Sequence, residues 1–97
     1  MFIHVVFYRV EDPDANVPEM KKRLLSLPAK IDAIKKMRFG RDEIKSPRSV
    51  DACLYVEFDS KADYLTYKDH PDHLAVAAFI GSVKKESYSA DYQWEGM

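Results

Sequence analysis

The sequence predicts an α+β domain with the element order β-α-β-β-α-β. Three observations carry this. Four short segments are rich in β-branched and aromatic residues. Two segments between them space their apolar residues at helical steps of three and four. Asp, Pro, Gly and Ser clusters fall where one pattern gives way to the other. The chain of 97 residues is read as a single domain, 1–97.

The first strand runs from Met1 to Val10 and is apolar on both parities, as suits a strand covered on both faces. Ile3, Val5 and Phe7 share one side; Phe2, His4, Val6 and Tyr8 share the other. Asp12-Pro13-Asp14 breaks it. A helical stripe follows through Val17, Met20, Leu24, Leu27, Ile31 and Ile34. Asn16 is the expected N-cap with Glu19 as its capping-box partner, and Pro28 should kink or restart the helix.

A second strand is expected from Lys36 to Ile44, with Gly40 as a bulge or close backbone approach. The third runs from Ala52 to Phe58 and alternates cleanly: Leu54, Val56 and Phe58 on one side, Cys53, Tyr55 and Glu57 on the other. Asp59 or Ser60 should cap a short helix to about Lys68, with Ala62, Leu65 and Tyr64 on its inner edge. Pro71 suits a new helix start. Leu74, Val76, Ala77 and Ile80 supply that helix's apolar face, and Gly81 should end it. The last strand spans Glu86 to Trp94, with Tyr88, Ala90, Tyr92 and Trp94 on one side and Ser87, Ser89, Asp91 and Gln93 on the other.

This order matches the ferredoxin-like split βαβ arrangement: a four-stranded antiparallel sheet with its helices on one face. The opposite face is then bare in a lone protomer, and the aromatic row of the last strand lies on the sheet. An apolar face of that kind buries itself against something. A second copy, sheet against sheet, is the simplest partner, and a small domain gains core by it.

Composition narrows the function. Fifteen basic against sixteen acidic residues leave no excess to drive phosphate-backbone binding, which argues against a nucleic-acid partner. No apolar run reaches the ~20 residues that span a bilayer, and Met1 leads almost directly into a strand without a basic n-region. The lone Cys53 has no internal disulfide partner. These features set a cytoplasmic location as the expectation, with no membrane partner. No phosphate loop or Gly-x-Ser-x-Gly elbow is present, and no cofactor or metal is expected.

The histidines are the remaining chemistry: His4, His70 and His73. His4 stands alone among apolar neighbours and reads either as a core histidine bonded to a carbonyl or as a site residue. His70 reads first as a helix cap. A zinc site built from His70 and His73 with Asp72 or His4 as a third ligand lacks a full ligand set. His73, in a first helical turn, is disfavoured as a cation and is a candidate base. Tyr67 ends the preceding helix and can reach the same cavity if the chain turns at Pro71.

Several stretches resemble the stress-responsive A/B barrel (Dabb) domains. They are Ile3-His4-Val5-Val6-Phe7, Phe39-Gly40-Arg41-Asp42, Val56-Glu57-Phe58-Asp59-Ser60, Tyr67-Lys68-Asp69-His70-Pro71-Asp72-His73 and Asp91-Tyr92. The resemblance implies a dimeric α+β barrel with a cavity between each sheet and its own helices, holding a small organic molecule. A polyketide cyclase of the family has a catalytic tyrosine and histidine that match Tyr67 and His73, which implies proton transfer or cyclisation beside a carbonyl as an alternative to binding alone. A structural dimer with a filled core is a further alternative. By the same resemblance His4, Val6, Tyr8 and Leu54 face the cavity with Met20, Leu24, Met37 and Ala77. Ile3, Val5 and Phe7 join Tyr88, Tyr92 and Trp94 in the homodimer interface. On strand four, Ser87, Ser89 and Asp91 stand where that cyclase is apolar, which argues against a long alkyl tail as ligand.

Overall fold

Nine consecutive β-favouring residues, Phe2–Val10, make β1, one of the two central strands of the sheet. The computed structural model describes residues 1–96. After β1 come α1 (Pro13–Leu24), a 3-10 turn at Leu27–Ala29, β2 (Lys36–Arg41), β3 (Ala52–Phe58), α2 (Lys61–Asp69), α3 (Pro71–Val83) and β4 (Lys84–Gln93). The four strands are ordered β2-β3-β1-β4, and every neighbouring pair is antiparallel. The α+β class and ferredoxin-like layout expected from the sequence are thus observed, with the second helical region in two pieces.

Strand alternation decides which side is core. Val6, Tyr8 and Val10 of β1 and Ala52, Leu54, Val56 and Phe58 of β3 are buried with Val17, Met20 and Leu24 of α1 and Val76 and Ile80 of α3. The guanidinium of Arg23 lies 3.9 Å from the centre of the Phe79 ring, tying α1 to α3 by a cation–π contact. The other side of the sheet has no helix. There Phe7, Tyr88 and Tyr92 of the strands, with Trp94 just beyond β4, are 43%, 58%, 45% and 49% exposed.

Several local expectations are corrected. The six stripe residues from Val17 to Ile34 are all buried, yet α1 ends at Leu24 and the chain continues through the 3-10 turn. A helix through Pro28 would lose a hydrogen bond and clash; Leu27, Ile31 and Ile34 reach the core from the turn and the loop after it. The N-cap of α1 is Asp12 in a left-handed conformation, because Pro13 suits the first helical position. Asn16 lies inside the helix and its side-chain amide donates to the Glu11 carbonyl at 2.6 Å. Glu19 pairs with Arg23 instead.

β2 stops at Arg41, where the Asp42 carboxylate accepts the Lys45 amide at 2.7 Å and turns the chain. Gly40 pairs in unbroken register with Cys53 and has open space around it, so it is neither bulge nor close approach. Ala62 and Leu65 face outward, and α2 buries Tyr67 with Tyr64 half-buried. Leu74 is 53% exposed. Gly81 lies within α3, which runs on to Val83. β4 begins two residues earlier than expected and ends at Gln93.

Candidate ligand pocket

The joint between α2 and α3 shapes the site. Ser60 caps α2 by accepting the Asp63 amide at 3.1 Å. His70 then serves as C-cap of α2 and N-cap of α3 at once, with Nδ1 accepting the Asp72 amide at 3.1 Å. The cap role is therefore what the geometry gives His70. One extended residue separates the helices, and α3 starts at Pro71. The sharp elbow brings Tyr67, at the end of α2, against His73, in the first turn of α3; their ring centres are 4.3 Å apart.

Beneath the elbow lies a cavity of about 220 Å³. Its floor is His4, Val6 and Tyr8 of β1 with Leu54 of β3. Leu24 of α1 and Tyr67, His73, Ala77 and Ile80 of the later helices close other sides. Lys84, Ser87 and Ser89 of β4 form the polar wall. His4, Tyr67 and His73 thus border one space. Met20 and Met37, expected there from the resemblance, do not line it: Met20 is fully buried in the core, and Met37 packs half-buried against that core.

Each polar group has a distinct state. The Tyr67 side chain is 1% exposed, and its hydroxyl has no hydrogen-bond partner among the described residues. Burial, with the nearby Tyr8 and Tyr64 phenols, pushes its pKa well up, so it is a neutral donor throughout the physiological range. His73 Nδ1 lies 2.9 Å from the Lys68 carbonyl. A carbonyl only accepts, so Nδ1 carries the proton and Nε2 of the neutral ring is left as the acceptor. Desolvation lowers the His73 pKa, and His4 and His70 add to this; the Lys68 carbonyl and Asp69 oppose it without reversing it.

His4 Nδ1 bonds the Asp91 carboxylate across the β1–β4 pair. Its partner is thus a side chain, not the backbone carbonyl that sequence reasoning offered. That pairing, and the place of Lys84 and Ile80 on the cavity wall, went unread. The signal was in the register: His4, Val6 and Tyr8 face Asp91, Ser89 and Ser87 in turn, so fixing one cross-strand pair fixes the rest.

Larger hollows lie elsewhere. One of about 430 Å³ is lined by charged groups at the β2–β3 loop, where Arg41 bonds Asp14 at 2.6 Å. Another, of about 500 Å³, opens beside Phe7 and Tyr88 on the helix-free face. Neither is bordered by a histidine. Among the described residues no cluster of three or more His, Cys, Asp or Glu side chains is placed to hold a metal ion, and no helix is long and apolar enough to cross a membrane.

A four-stranded antiparallel sheet with helices on one face, and a side-chain-lined cavity between the two layers, defines a ferredoxin-like α+β pocket protein. The chain belongs to the stress responsive A/B barrel domain family, which matches residues 2–94. A dimeric ferredoxin-like protein of unknown function from Bacteroides fragilis is similar to it at 27% identity, with a TM-score of 0.84 over 96% of this chain and 95% of its own. A dimeric ferredoxin-like protein from Thermobifida fusca has the same identity and TM-score, over 96% of this chain and 90% of its own. A hydroxynitrile lyase from Passiflora edulis shares the fold at 17% identity, with a TM-score of 0.87 over 99% of this chain and 94% of its own. No curated protein matches the chain.

Proposed function

We propose that this chain is a homodimer, each protomer of which holds a small organic molecule under the α2–α3 elbow, with the molecule's carbonyl or hydroxyl oxygen on the Tyr67 hydroxyl. The unpartnered Tyr67 hydroxyl carries this reading. A buried donor without an acceptor costs about 1–3 kcal/mol, and a ligand oxygen in the cavity removes that cost. The cavity, about 220 Å³, falls below the roughly 300–1,000 Å³ of sites for drug-sized ligands, so the ligand is small.

One observation favours turnover over binding alone. His73 offers a neutral ring whose Nε2, without a hydrogen-bond partner among the described residues, can accept a proton, its ring tilted against the phenol that would hold the ligand's oxygen at a centre-to-centre distance of 4.3 Å. In the reaction this arrangement suits, a C–H bond beside the carbonyl breaks and its proton passes to Nε2. The electron pair moves onto the carbonyl oxygen, where the Tyr67 hydroxyl donates to the enolate. The carbanion equivalent is then available for ring closure or for reprotonation by His73. Tyr67 remains protonated and supplies a hydrogen bond, and His73 alone moves the proton.

Exchange of the acetyl methyl protons of methyl acetoacetate for deuterium, followed by NMR, tests this directly. The wild type should accelerate exchange over buffer, and His73→Ala should not, although the ester still binds. Binding of the ester without acceleration by the wild type leaves a binding protein and removes the catalytic role.

The dimer rests on the exposed aromatic patch of Phe7, Tyr88, Tyr92 and Trp94. A lone protomer seldom presents such a contiguous face to water, and similar proteins of this fold are dimeric. Ile3, expected in that interface, is only 1% exposed within the protomer and has little surface left to contribute. Val5, half-buried at the centre of β1, retains some.

A further inference from the structure

We infer that the pocket's ligand is a small keto acid, its carboxylate held by Lys84 and Ser87 and its keto oxygen by Tyr67. This rests on the pocket reading above and adds the ligand's class and orientation. The argument starts from the unequal ends of the β4 wall. Lys84 opens β4, and its ammonium donates to the Ser87 hydroxyl at 3.3 Å. Both residues line the cavity, and Lys84 is the only lysine or arginine that does so among the described residues. Its Nζ makes no ion pair within 4.0 Å with a described Asp or Glu, so its charge is available to an anion.

Asp91 stands four residues beyond Ser87 on the same side of the strand, roughly 13 Å away at the usual rise of an extended chain. Its carboxylate is engaged by His4. The wall therefore runs from a cation at the Lys84 end, through Ser89, to an acid–histidine pair at the other. An anionic group is attracted to the first end, while at the second His4 already faces the Asp91 carboxylate and offers an anion no free partner through Nδ1. A ligand anchored by its carboxylate at Lys84 then extends its remaining atoms toward Tyr67 and His73, which bring the donor and the base for a carbonyl.

The donor set favours a carboxylate over a phosphate. One ammonium and two serine hydroxyls match the acceptor demand of a carboxylate. A phosphate dianion calls for more donors, commonly an arginine fork or a row of backbone amides, and neither borders this cavity. Ser87, Ser89 and Lys84 also leave β4 without the apolar wall that a long hydrocarbon tail requires.

Acetoacetate and its neutral methyl ester separate the possibilities, titrated by NMR into wild type, Lys84→Met and Tyr67→Phe. The expected result is roughly tenfold tighter binding of acetoacetate than of the ester to the wild type, the scale of one charge-assisted hydrogen bond. Lys84→Met should abolish this preference, weakening acetoacetate about tenfold more than the ester. Tyr67→Phe should weaken both compounds by a similar factor. Equal binding of acid and ester, or a preference that survives in Lys84→Met, overturns the keto-acid assignment and leaves the pocket reading intact. Failure of both compounds to perturb the pocket resonances overturns the assignment together with the pocket reading.

Discussion

At Tyr67, packing and hydrogen bonding pull in opposite directions. Its ring packs against Phe58 and His73, with centres 5.2 and 4.3 Å away, while its hydroxyl lacks a partner. Tyr67→Phe keeps the ring and deletes the unsatisfied group. The free protein should be as stable as the wild type or more stable by about 1 kcal/mol, and ligand affinity should fall; paired thermal melts and titrations check the two signs. A clear loss of stability in the free variant would show that the hydroxyl is satisfied in solution. His73 makes a second prediction. Its folded pKa lies below the ordinary 6.5, so in acid the unfolded chain takes up this proton first. Its contribution to stability is complete above about 6.5 and is lost as pH falls through the folded value. His73→Gln should flatten that part of the stability–pH curve, and ring-proton titration should give a pKa below 6.5. A higher value would make His73 a histidine stabilised by Asp69 or Asp72.

The elements are held in place by caps as much as by propensity. Ser60→Ala should cost about 0.5–2 kcal/mol through loss of the bond to the Asp63 amide. His70→Ala should lower stability by about 1 kcal/mol and also weaken ligand binding, because it loosens the elbow that sets Tyr67 beside His73. His70→Asn, which can still cap, should restore much of both, as read by denaturant melts and NMR titration. Legibility differed between elements for physical reasons. β3 was read to the residue, because its alternation mirrors a strand with one side against helices and the other against none. The stripe from Val17 to Ile34 identified the buried positions, and Pro28 marked where the helix breaks; the spacing alone did not show that the chain beyond Leu24 is a 3-10 turn and loop, since it records burial and not conformation. Leu65 and Leu74 were misread because hydrophobicity alone does not fix which way a short helix is rolled; Tyr67 and Val76 won the inner positions.

For the whole molecule, the helix-free face is the main feature. Val5→Glu puts a charge at its centre, between Tyr55 and Ala90 of the flanking strands. In a sheet-to-sheet dimer this charge would be buried unpaired, at a cost of several kcal/mol. Sedimentation should then show a monomer, or the variant should be insoluble, with the wild type dimeric; a wild type that stays monomeric at high concentration removes the dimer. Residue spacing alone left Tyr67 and His4 ambiguous, and it was the family resemblance that drew them together with His73. The Lys84 end of the pocket and the His4–Asp91 pair needed the β1–β4 register, because those groups are distant in sequence and neighbours only once the outer strand is laid down. The single-residue elbow at His70 has a further consequence for descent. The phenol and the imidazole sit in one short, contiguous stretch, so duplication or recombination passes them on together. The polar wall of the cavity is encoded separately, in β4. Substitutions in β4 can therefore reshape one wall of the cavity while the Tyr67–His73 elbow stays as it is.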